Sequence, residues 1–256
     1  MHVVIFTGGE YTKPEQAQIF FESMEKPDFV IAADSGLVAA IDYSDFYSGK
    51  MDFSPNVITG DMDSLENADR ILKNFPSAKI IKHNPYKDFS DTELALEYAY
   101  ENCMENHRKD CREDVRSEQV SSADFFVTLI GGAGGRIDHL LGIFDLFSEK
   151  NHPDAWLYNS QILLFAKRGS VFEISNLALY DYISVARPSG SRAGGKIVSE
   201  GLEWESEVFR KEGMPSLSNR ISEKAFAADK KVSIKVEEGN FILILPVTAK
   251  VLLKSL

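Results

Sequence analysis

The chain has 256 residues, 44% of them hydrophobic, which is enough apolar material for the buried core of one or two domains. Its 39 acidic and 28 basic residues give a net charge of −11, and residues 1–150 carry 27 of the acidic but only 14 of the basic side chains. Because it lacks a cluster of Lys and Arg, so acidic a chain is not expected to bind nucleic acid through phosphate contacts.

Short apolar segments alternate with helical ones over the first 150 residues. Each apolar segment is typical of a buried strand, ends in a turn that contains Gly, Asp or Lys, and precedes a segment typical of a helix or a turn. Strands are predicted at residues 2–7, 29–33, 57–59, 79–82 and 124–131, and helices at 14–24, 37–43, 67–74, 90–103 and 138–148. This alternation indicates a parallel sheet covered on both faces, so we predict a Rossmann-like α/β domain. The charged stretch 105–123 has no sustained period and is predicted to be an exposed loop or a helix extension.

From about residue 155 the pattern becomes one of β-strands. Strands are predicted at residues 155–158, 161–166, 170–174, 182–186, 232–236 and 241–246. Convincing helical periodicity is absent there, which favours an all-β sandwich or barrel. We therefore predict an α/β domain at residues 1–152, followed by a β-sandwich domain at residues 153–256.

The sequence predicts a cytoplasmic protein without a membrane span. The apolar run at residues 3–6 is too short for a signal peptide and has no basic segment before it. No stretch approaches the roughly 18 apolar residues that a membrane span needs. Cys103 and Cys111 fit neither a zinc site nor the disulfide framework of a secreted protein.

Carboxylates follow several of the predicted strands, at the edge where parallel sheets bind ligands. They are Asp34, Asp61, Asp63, Asp88 and Asp91. An Asp-x-Asp pair can place two carboxylates on one hard cation, which then also binds substrate phosphates. An Asp-rich turn, or helix caps at Asp88 and Asp91, would explain each motif singly. Because so many carboxylates at one edge repel one another unless a cation compensates, the set predicts a metal-dependent polyphosphate site.

A glycine-rich segment, GGAGGRIDH, follows the fifth predicted strand at residues 131–139. Four glycines let backbone N–H groups approach a phosphate, and the N-terminus of the next helix adds positive charge. Arg136 could bind phosphate oxygens with two hydrogen bonds. The segment matches neither the Walker A motif nor the GxGxxG fingerprint, and a plain glycine turn is the alternative.

Two short motifs stand out in the predicted β domain, GLEW at residues 201–204 and SLSN at residues 216–219. Trp204 offers a flat apolar face to an aromatic ring, and Ser218 and Asn219 offer compact hydrogen-bonding groups. A tryptophan in a β domain also commonly packs in the core, so this signal is weak on its own.

In this order the motifs resemble those of the thiamin pyrophosphokinase (thiamin diphosphokinase) family. The matching segments are AADSG (family AADGG), ITGDMDSL (GDxDS), KDFSDTELAL (KDxTDxxxAL), GGAGGRIDHLLG (GGxGGRxDH), GLEW (GLxW) and SLSN (SxSN), within residues 1–246. The resemblance implies Mg²⁺-dependent transfer of the pyrophosphoryl group of ATP to the hydroxyl of thiamin, which gives thiamin diphosphate and AMP. It also implies a homodimer with active sites between the subunits.

The resemblance further implies roles for individual residues. The catalytic, Mg²⁺-binding carboxylates would be Asp61, Asp63, Asp88 and Asp91. The other nucleotide contacts would come from Asp34, Ser64, Ser90, Gly134, Gly135, Arg136, Asp138 and His139. Thiamin would be bound by Trp204, stacked on its pyrimidine, and by Ser216, Ser218 and Asn219.

The sequence departs from the family at three places. Ser90 replaces a threonine, Glu205-Ser206 replaces Pro-Leu after Trp204, and residues 105–123 resemble an insertion. Two alternatives are a pyrophosphokinase for another small alcohol, such as a hydroxymethyl pterin, and a non-catalytic thiamin or nucleotide sensor. The GLEW and SLSN motifs favour thiamin, and the complete set of carboxylates favours an enzyme.

Overall fold

The computed structural model describes residues 1–61, 72–84, 86, 88–104, 125–190 and 194–255. Asp63, Ser64, residues 67–71 of the predicted helix 67–74 and the stretch 105–123 therefore lie outside the described residues. The chain forms two compact units, here called the α/β unit (Met1–Pro14, Glu25–Leu146 and Lys150–Asn159) and the β unit (Glu15–Met24, Phe147–Glu149 and Ser160–Leu256). The predicted mixed α/β class is confirmed.

Six parallel strands form the sheet of the α/β unit. They are β1 (His2–Phe6), β2 (Phe29–Ala33), β3 (Val57–Gly60), β4 (Lys79–Lys82), β5 (Phe126–Ile130) and β6 (Ala155–Tyr158). Their order is β6-β5-β1-β2-β3-β4, and every pair is parallel. All residues of β1 and β3 are buried, as expected for the interior of a sheet covered on both faces. Parallel pairing brings the carboxyl ends of β1, β2, β3 and β5 to one edge.

The described α-helices are α1 (Gln18–Ser23), α2 (Gly36–Phe46), α3 (Asp91–Tyr98), α4 (Ile137–Asp145) and α5 (Glu223–Ala227). The predicted helix 90–103 is divided, because α3 continues as a π-helical turn at Ala99–Met104. A 3-10 turn at Leu146–Ser148 follows α4, and another lies at Ser206–Val208. None of the described helices is long and apolar enough to span a bilayer.

An aromatic cluster packs α2 against β1. The ring of Tyr43 lies 5.1 Å from that of Phe6 and 5.4 Å from that of Phe53, both edge to face. The Tyr43 hydroxyl donates a hydrogen bond to the carbonyl of Thr12 (2.7 Å), and that of Tyr47 to the carbonyl of Pro14 (3.1 Å). These two bonds tether the loop that follows β1 to the buried face of α2.

Eight antiparallel strands make up most of the β unit. They are β7 (Gln161–Ala166), β8 (Ser170–Ser175), β9 (Ile183–Ala186), β10 (Lys196–Glu200), β11 (Ser216–Asn219), β12 (Val232–Glu238), β13 (Phe241–Pro246) and β14 (Lys250–Ser255). Four of them follow the order β11-β9-β13-β7, and the other four form a sheet in the order β10-β12-β8-β14. In β8 and β12 buried residues alternate with half-buried ones, which shows that one face of the sheet packs inward.

The β unit departs from the prediction in three respects. The segment 155–158, predicted as the first strand of the β domain, forms β6 of the α/β unit and pairs in parallel with β5. The expectation that no helix occurs after residue 155 is wrong, because Ser222 caps the short helix α5 by accepting a hydrogen bond from the Ala225 N–H (3.2 Å). Three strands, β10, β11 and β14, were not predicted. Each lies at an end of its strand order, where side chains are half-exposed and the apolar pattern is correspondingly weak.

A buried histidine lies at the start of β1. His2 is 2% exposed, with Nδ1 2.7 Å from the Glu25 carbonyl oxygen and Nε2 2.9 Å from Oγ1 of Thr128. Burial lowers the pKa of His2, since desolvation disfavours the imidazolium more than the Glu25 carbonyl and the Asp28 carboxylate favour it. The folded chain therefore keeps His2 neutral at pH values where the unfolded chain protonates it.

We expect this histidine to make folding sensitive to acid. Because its pKa is lowered in the folded state, its contribution to stability is complete above about pH 6.5 and is lost as the pH falls toward the folded-state pKa. Urea unfolding between pH 8 and pH 5 should show a steeper loss in the native chain than in His2→Asn, by up to about 1.4 kcal/mol per pH unit below about pH 6.5. His139→Asn, at an exposed histidine, is the control; identical slopes for the native chain and His2→Asn would contradict the prediction.

Candidate functional site

Three carboxylates meet at the carboxyl edge of the α/β sheet. Asp34 follows β2, Asp61 follows β3, and Asp91 is the first residue of α3. One oxygen of each lies within 4.8 Å of those of the other two, and all three residues are half-buried. Oxygen ligands this close together are suited to a hard divalent cation, which would also offset their mutual repulsion.

Backbone packing between β2 and β3 positions the first two carboxylates. The N–H of Asp34 donates to the carbonyl of Thr59 (2.8 Å), and Asp34 itself has a positive φ of 50°. A Cβ atom on Gly60 would lie 3.1 Å from the Asp34 Cβ, and Gly60 has a φ of 147°, so glycine suits this position on both counts. Gly60 thus lets Asp61 emerge directly beside Asp34.

A capping box fixes the third carboxylate. The Ser90 side chain accepts a hydrogen bond from the Glu93 N–H (3.2 Å), and the Glu93 carboxylate accepts one from the Ser90 N–H (2.6 Å). The hydroxyls of Thr92 and Thr7 are 2.5 Å apart, which ties the first turn of α3 to the end of β1. Asp91 therefore stands at a rigid helix N-terminus, where the helix dipole favours a negative charge.

Only some of the predicted metal-binding carboxylates lie in this cluster. Asp61 and Asp91 belong to the cluster, whereas Asp88 is exposed and does not. Asp34, predicted as a nucleotide contact, joins them, while Ser90 serves as the helix cap described above. Its place directly after a buried strand already puts Asp34 among the carboxylates predicted at this edge, although the family resemblance assigns it to the nucleotide.

Two glycine-rich loops are joined next to this edge. The Gly132 N–H donates to the Gly8 carbonyl (2.9 Å), and Glu10 and Ala133 exchange both backbone hydrogen bonds (2.8 and 3.0 Å). The indole N–H of buried Trp156 donates to the Gly131 carbonyl (2.8 Å) and holds the start of the loop. The sequence marks Gly8 and Gly9 only as a turn, but in the fold this turn supports the predicted phosphate loop.

The exposed end of the glycine loop carries an ion pair. Arg136 donates from Nη2 and Nε to the two carboxylate oxygens of Asp138 (2.5 and 3.2 Å). The Arg136 hydrogen bonds lower the pKa of Asp138 to about 2, so Asp138 is charged at neutral pH. Gly134, Gly135 and His139, predicted as nucleotide contacts, are exposed beside this pair.

In the β unit, Asn219 holds the loop that carries Trp204. Its side chain is 1% exposed and binds both backbone groups of Trp204, accepting from the N–H (3.2 Å) and donating to the carbonyl (2.7 Å). It also donates to Ser216 Oγ (3.3 Å), while Ser218 is exposed. The Trp204 side chain is 50% exposed, so its indole is available to a ligand while its backbone is fixed.

The two residues that follow Trp204 brace the same loop. Glu205 accepts hydrogen bonds from Ser199 Oγ (2.6 Å) and from the Gly201 N–H (3.0 Å). The Ser206 N–H donates to Ser199 Oγ (2.9 Å). The departure from the family's Pro-Leu thus replaces a stiff dipeptide with side-chain bonds to the preceding strand.

Comparison with known proteins supports the family resemblance. The family model for the catalytic domain of thiamin pyrophosphokinase matches residues 20–157, which include all three clustered carboxylates. The fold is similar to that of thiamine pyrophosphokinase from Bacillus subtilis (18% identity, covering 96% of this chain and 99% of that one, TM-score 0.65). It is also similar to that of thiamin pyrophosphokinase from Candida albicans (15% identity, 96% and 89% covered, TM-score 0.64). No curated protein matches the chain in sequence.

We expect the junction of the glycine loops to be sensitive to a single methyl group. Gly9 has a φ of 93°, and a Cβ there would collide with the carbonyl oxygen of Ala133, whereas Gly49 has a φ of 77° and nothing within 4 Å. Gly49→Ala should therefore cost only the backbone strain, about 1 kcal/mol, and Gly9→Ala at least about 2 kcal/mol more. Urea unfolding of the two variants measures the difference, and equal losses would contradict the role of this contact.

Proposed function

The chain belongs to the thiamin pyrophosphokinase family, because the family model matches more than half of it, and on this premise we propose which residues carry the activity. It is an enzyme, a thiamin diphosphokinase that uses ATP as co-substrate and forms thiamin diphosphate and AMP. A pterin pyrophosphokinase and a non-catalytic sensor are not favoured. The cluster of three carboxylates within the matched region supports the proposal most directly.

Asp34, Asp61 and Asp91 are the proposed ligands of Mg²⁺. With metal–oxygen bonds of about 2.1 Å, adjacent ligands of an octahedral Mg²⁺ would be about 3.0 Å apart, so the three oxygens, which lie within 4.8 Å of one another, would move together to hold the ion. When bound, the cation would neutralise charge on the phosphate oxygens of ATP. Asp63 and Asp88, which the family resemblance assigns to the same centre, remain part of the proposal.

The glycine loop and Arg136 are proposed to bind the phosphates of ATP. The pair of Arg136 with Asp138 is exposed, so exchanging Asp138 for a phosphate costs little, and the guanidinium offers the same two-pronged geometry to either. We place Gly134, Gly135, Asp138 and His139 around the nucleotide with it. Holding the phosphates still favours in-line attack on the β-phosphorus.

The reaction itself exchanges one phosphorus–oxygen bond for another. The hydroxyl oxygen of thiamin bonds to the β-phosphorus, the bond from that phosphorus to the bridging oxygen of the α-phosphate breaks, and AMP leaves with that oxygen. A carboxylate of the acidic edge accepts the hydroxyl proton. Since this needs no covalent intermediate with the protein, positioning and electrostatics account for most of the rate in this proposal.

Thiamin is proposed to bind in the β unit, whose two sets of antiparallel strands we interpret as a sandwich. The exposed indole of Trp204 would stack on the pyrimidine, with Ser216 and Ser218 beside it. Both ends of the Asn219 amide are already used on the Trp204 backbone, so Asn219 positions Trp204 rather than contacting thiamin through free groups. This keeps the predicted division into a nucleotide-binding domain and a thiamin-binding domain.

A homodimer in the cytoplasm completes the proposal. On helix α4, which begins directly after the glycine loop, Ile137 is 71% exposed and Leu141 is 56% exposed. These residues are four apart and share a helix face, which a second subunit would cover. A partner on this face would lie next to the phosphate loop, in accord with active sites between subunits.

Loss of any clustered carboxylate should abolish turnover. Asp34→Asn, Asp61→Asn and Asp91→Asn should each lower AMP and thiamin diphosphate formation from ATP, Mg²⁺ and thiamin by at least about 100-fold, since each removes a charged metal ligand. Asp45→Asn, at an exposed position on α2, is the control and should keep full activity. For Asp34→Asn, a raised Mg²⁺ requirement identifies a metal ligand; a raised KM for ATP at an unchanged Mg²⁺ requirement would contradict that role.

Trp204 should affect thiamin and not ATP. Trp204→Ala removes the proposed stacking surface and should raise the KM for thiamin about tenfold, with the KM for ATP within twofold of the native value. Val208→Ala, at an exposed apolar position of the same loop, should change neither. An unchanged KM for thiamin in the tryptophan variant would rule out this binding surface.

A further inference from the structure

An arginine lies between two exposed aromatic rings in the β unit. The guanidinium carbon of Arg220 is 5.6 Å from the ring centre of Tyr180 and 5.8 Å from that of Trp204, both within cation–π range. Tyr180 is 69% exposed and Trp204 is 50% exposed. The motifs of the sequence do not include Arg220 or Tyr180.

The backbone fixes this arrangement. The Glu203 N–H donates to the Arg220 carbonyl (2.9 Å), and the Arg220 N–H donates to the Asn219 amide oxygen (2.9 Å), which also binds the Trp204 N–H. Arg220 and Trp204 are therefore held side by side by adjacent hydrogen bonds. These bonds hold the backbone, and the burial of Nε restricts the Arg220 side chain itself.

The charge of Arg220 has no carboxylate partner among the described residues. Its Nε is buried without a hydrogen-bond partner in this part of the chain, and no ion pair connects the guanidinium to Asp or Glu there. The guanidinium instead makes cation–π contacts with the two aromatic rings. The Trp204 indole is therefore already engaged by one cation, Arg220, and attracts a second cation less strongly than an isolated indole would.

The two halves of thiamin differ in charge, and the contact of Arg220 with Trp204 discriminates between them by charge. The aminopyrimidine is a neutral aromatic ring, whereas the thiazolium carries a permanent positive charge and the hydroxyethyl group. An isolated indole would favour the cationic half through cation–π attraction. Arg220 reverses that preference, because two positive charges beside the same indole repel one another, whereas the neutral ring can still stack.

We infer that Arg220 determines the orientation of thiamin, by excluding the thiazolium from the Trp204 surface so that the aminopyrimidine stacks there. This inference rests on the proposed thiamin site and adds to it a reason for the orientation. Arg220 is a specificity-determining residue that takes no part in the bond exchange. The hydroxyethyl group, attached to the thiazolium, is then directed away from Trp204.

Competition by the separate halves of thiamin tests the inference on the full-length enzyme. The competitors are the neutral hydroxymethyl aminopyrimidine and the N-methylated, cationic hydroxyethyl thiazolium, and formation of thiamin diphosphate is followed because the thiazolium half could itself accept a pyrophosphoryl group. The native enzyme should bind the pyrimidine half more tightly. Arg220→Met, which removes the charge, should shift the ratio of the two inhibition constants about tenfold in favour of the thiazolium half.

Arg220→Lys is the matched variant, since it retains the charge and should keep the ratio within threefold. The KM for ATP should be unchanged in both, and Arg220→Gln replaces the methionine variant if that one does not fold. A ratio unchanged in the uncharged variant, or equal weakening of both halves, would overturn the inference and leave Arg220 a structural residue. Trp204→Ala separates the two proposals, because an unchanged KM for thiamin there refutes the thiamin site itself.

Discussion

Three like charges held within 4.8 Å of one another are the constraint around which the α/β unit is organised. The residues that hold Asp34, Asp61 and Asp91 are therefore rigid: a sheet with both faces covered, a glycine where β3 ends, and a helix with a capping box. Rigid attachment keeps the three carboxylates close together, which is the arrangement that the proposed divalent cation needs from its oxygen ligands.

The strand order of the same sheet explains how the glycine loop after β5 is supported by the loop after the neighbouring strand β1. Strands β1 and β5 are neighbours, so the loops after them emerge together and can exchange backbone hydrogen bonds, as Glu10 and Ala133 do. A loop that is proposed to bind a phosphate through its backbone N–H groups cannot use all of them to stabilise itself. The turn at Gly8 and Gly9 supplies the missing restraint through close backbone contact.

Interior strands could be predicted from the sequence, whereas the edge strands β10, β11 and β14 could not, for a physical reason. A strand such as β2 is almost wholly buried and has an uninterrupted apolar sequence, whereas β10 and β14 lie at the ends of their sheet and carry Lys in positions open to solvent. Within the site, motif order indicated Asp61 and Asp91 correctly as neighbours. A motif does not encode turn geometry, which leaves Asp88 exposed. Nor does it encode the contacts between distant segments that let the Asn219 side chain bind the Trp204 backbone.

Charge gives the two units different tasks in handling a cationic substrate. Residues 1–150, most of which lie in the α/β unit, carry an excess of 13 acidic side chains, and a long-range field of this sign attracts a cation without distinguishing one orientation from the other at close range. To distinguish the two orientations of thiamin, a positive charge must lie directly beside the surface that binds the neutral aminopyrimidine. The guanidinium of Arg220 lies near Tyr180 and Trp204 and has the position and the sign that this requires, while Asn219 and Glu203 hold its backbone. In the proposed orientation, the half of thiamin that bears the reacting hydroxyl stays outside the aromatic surface, where it can accept the pyrophosphoryl group.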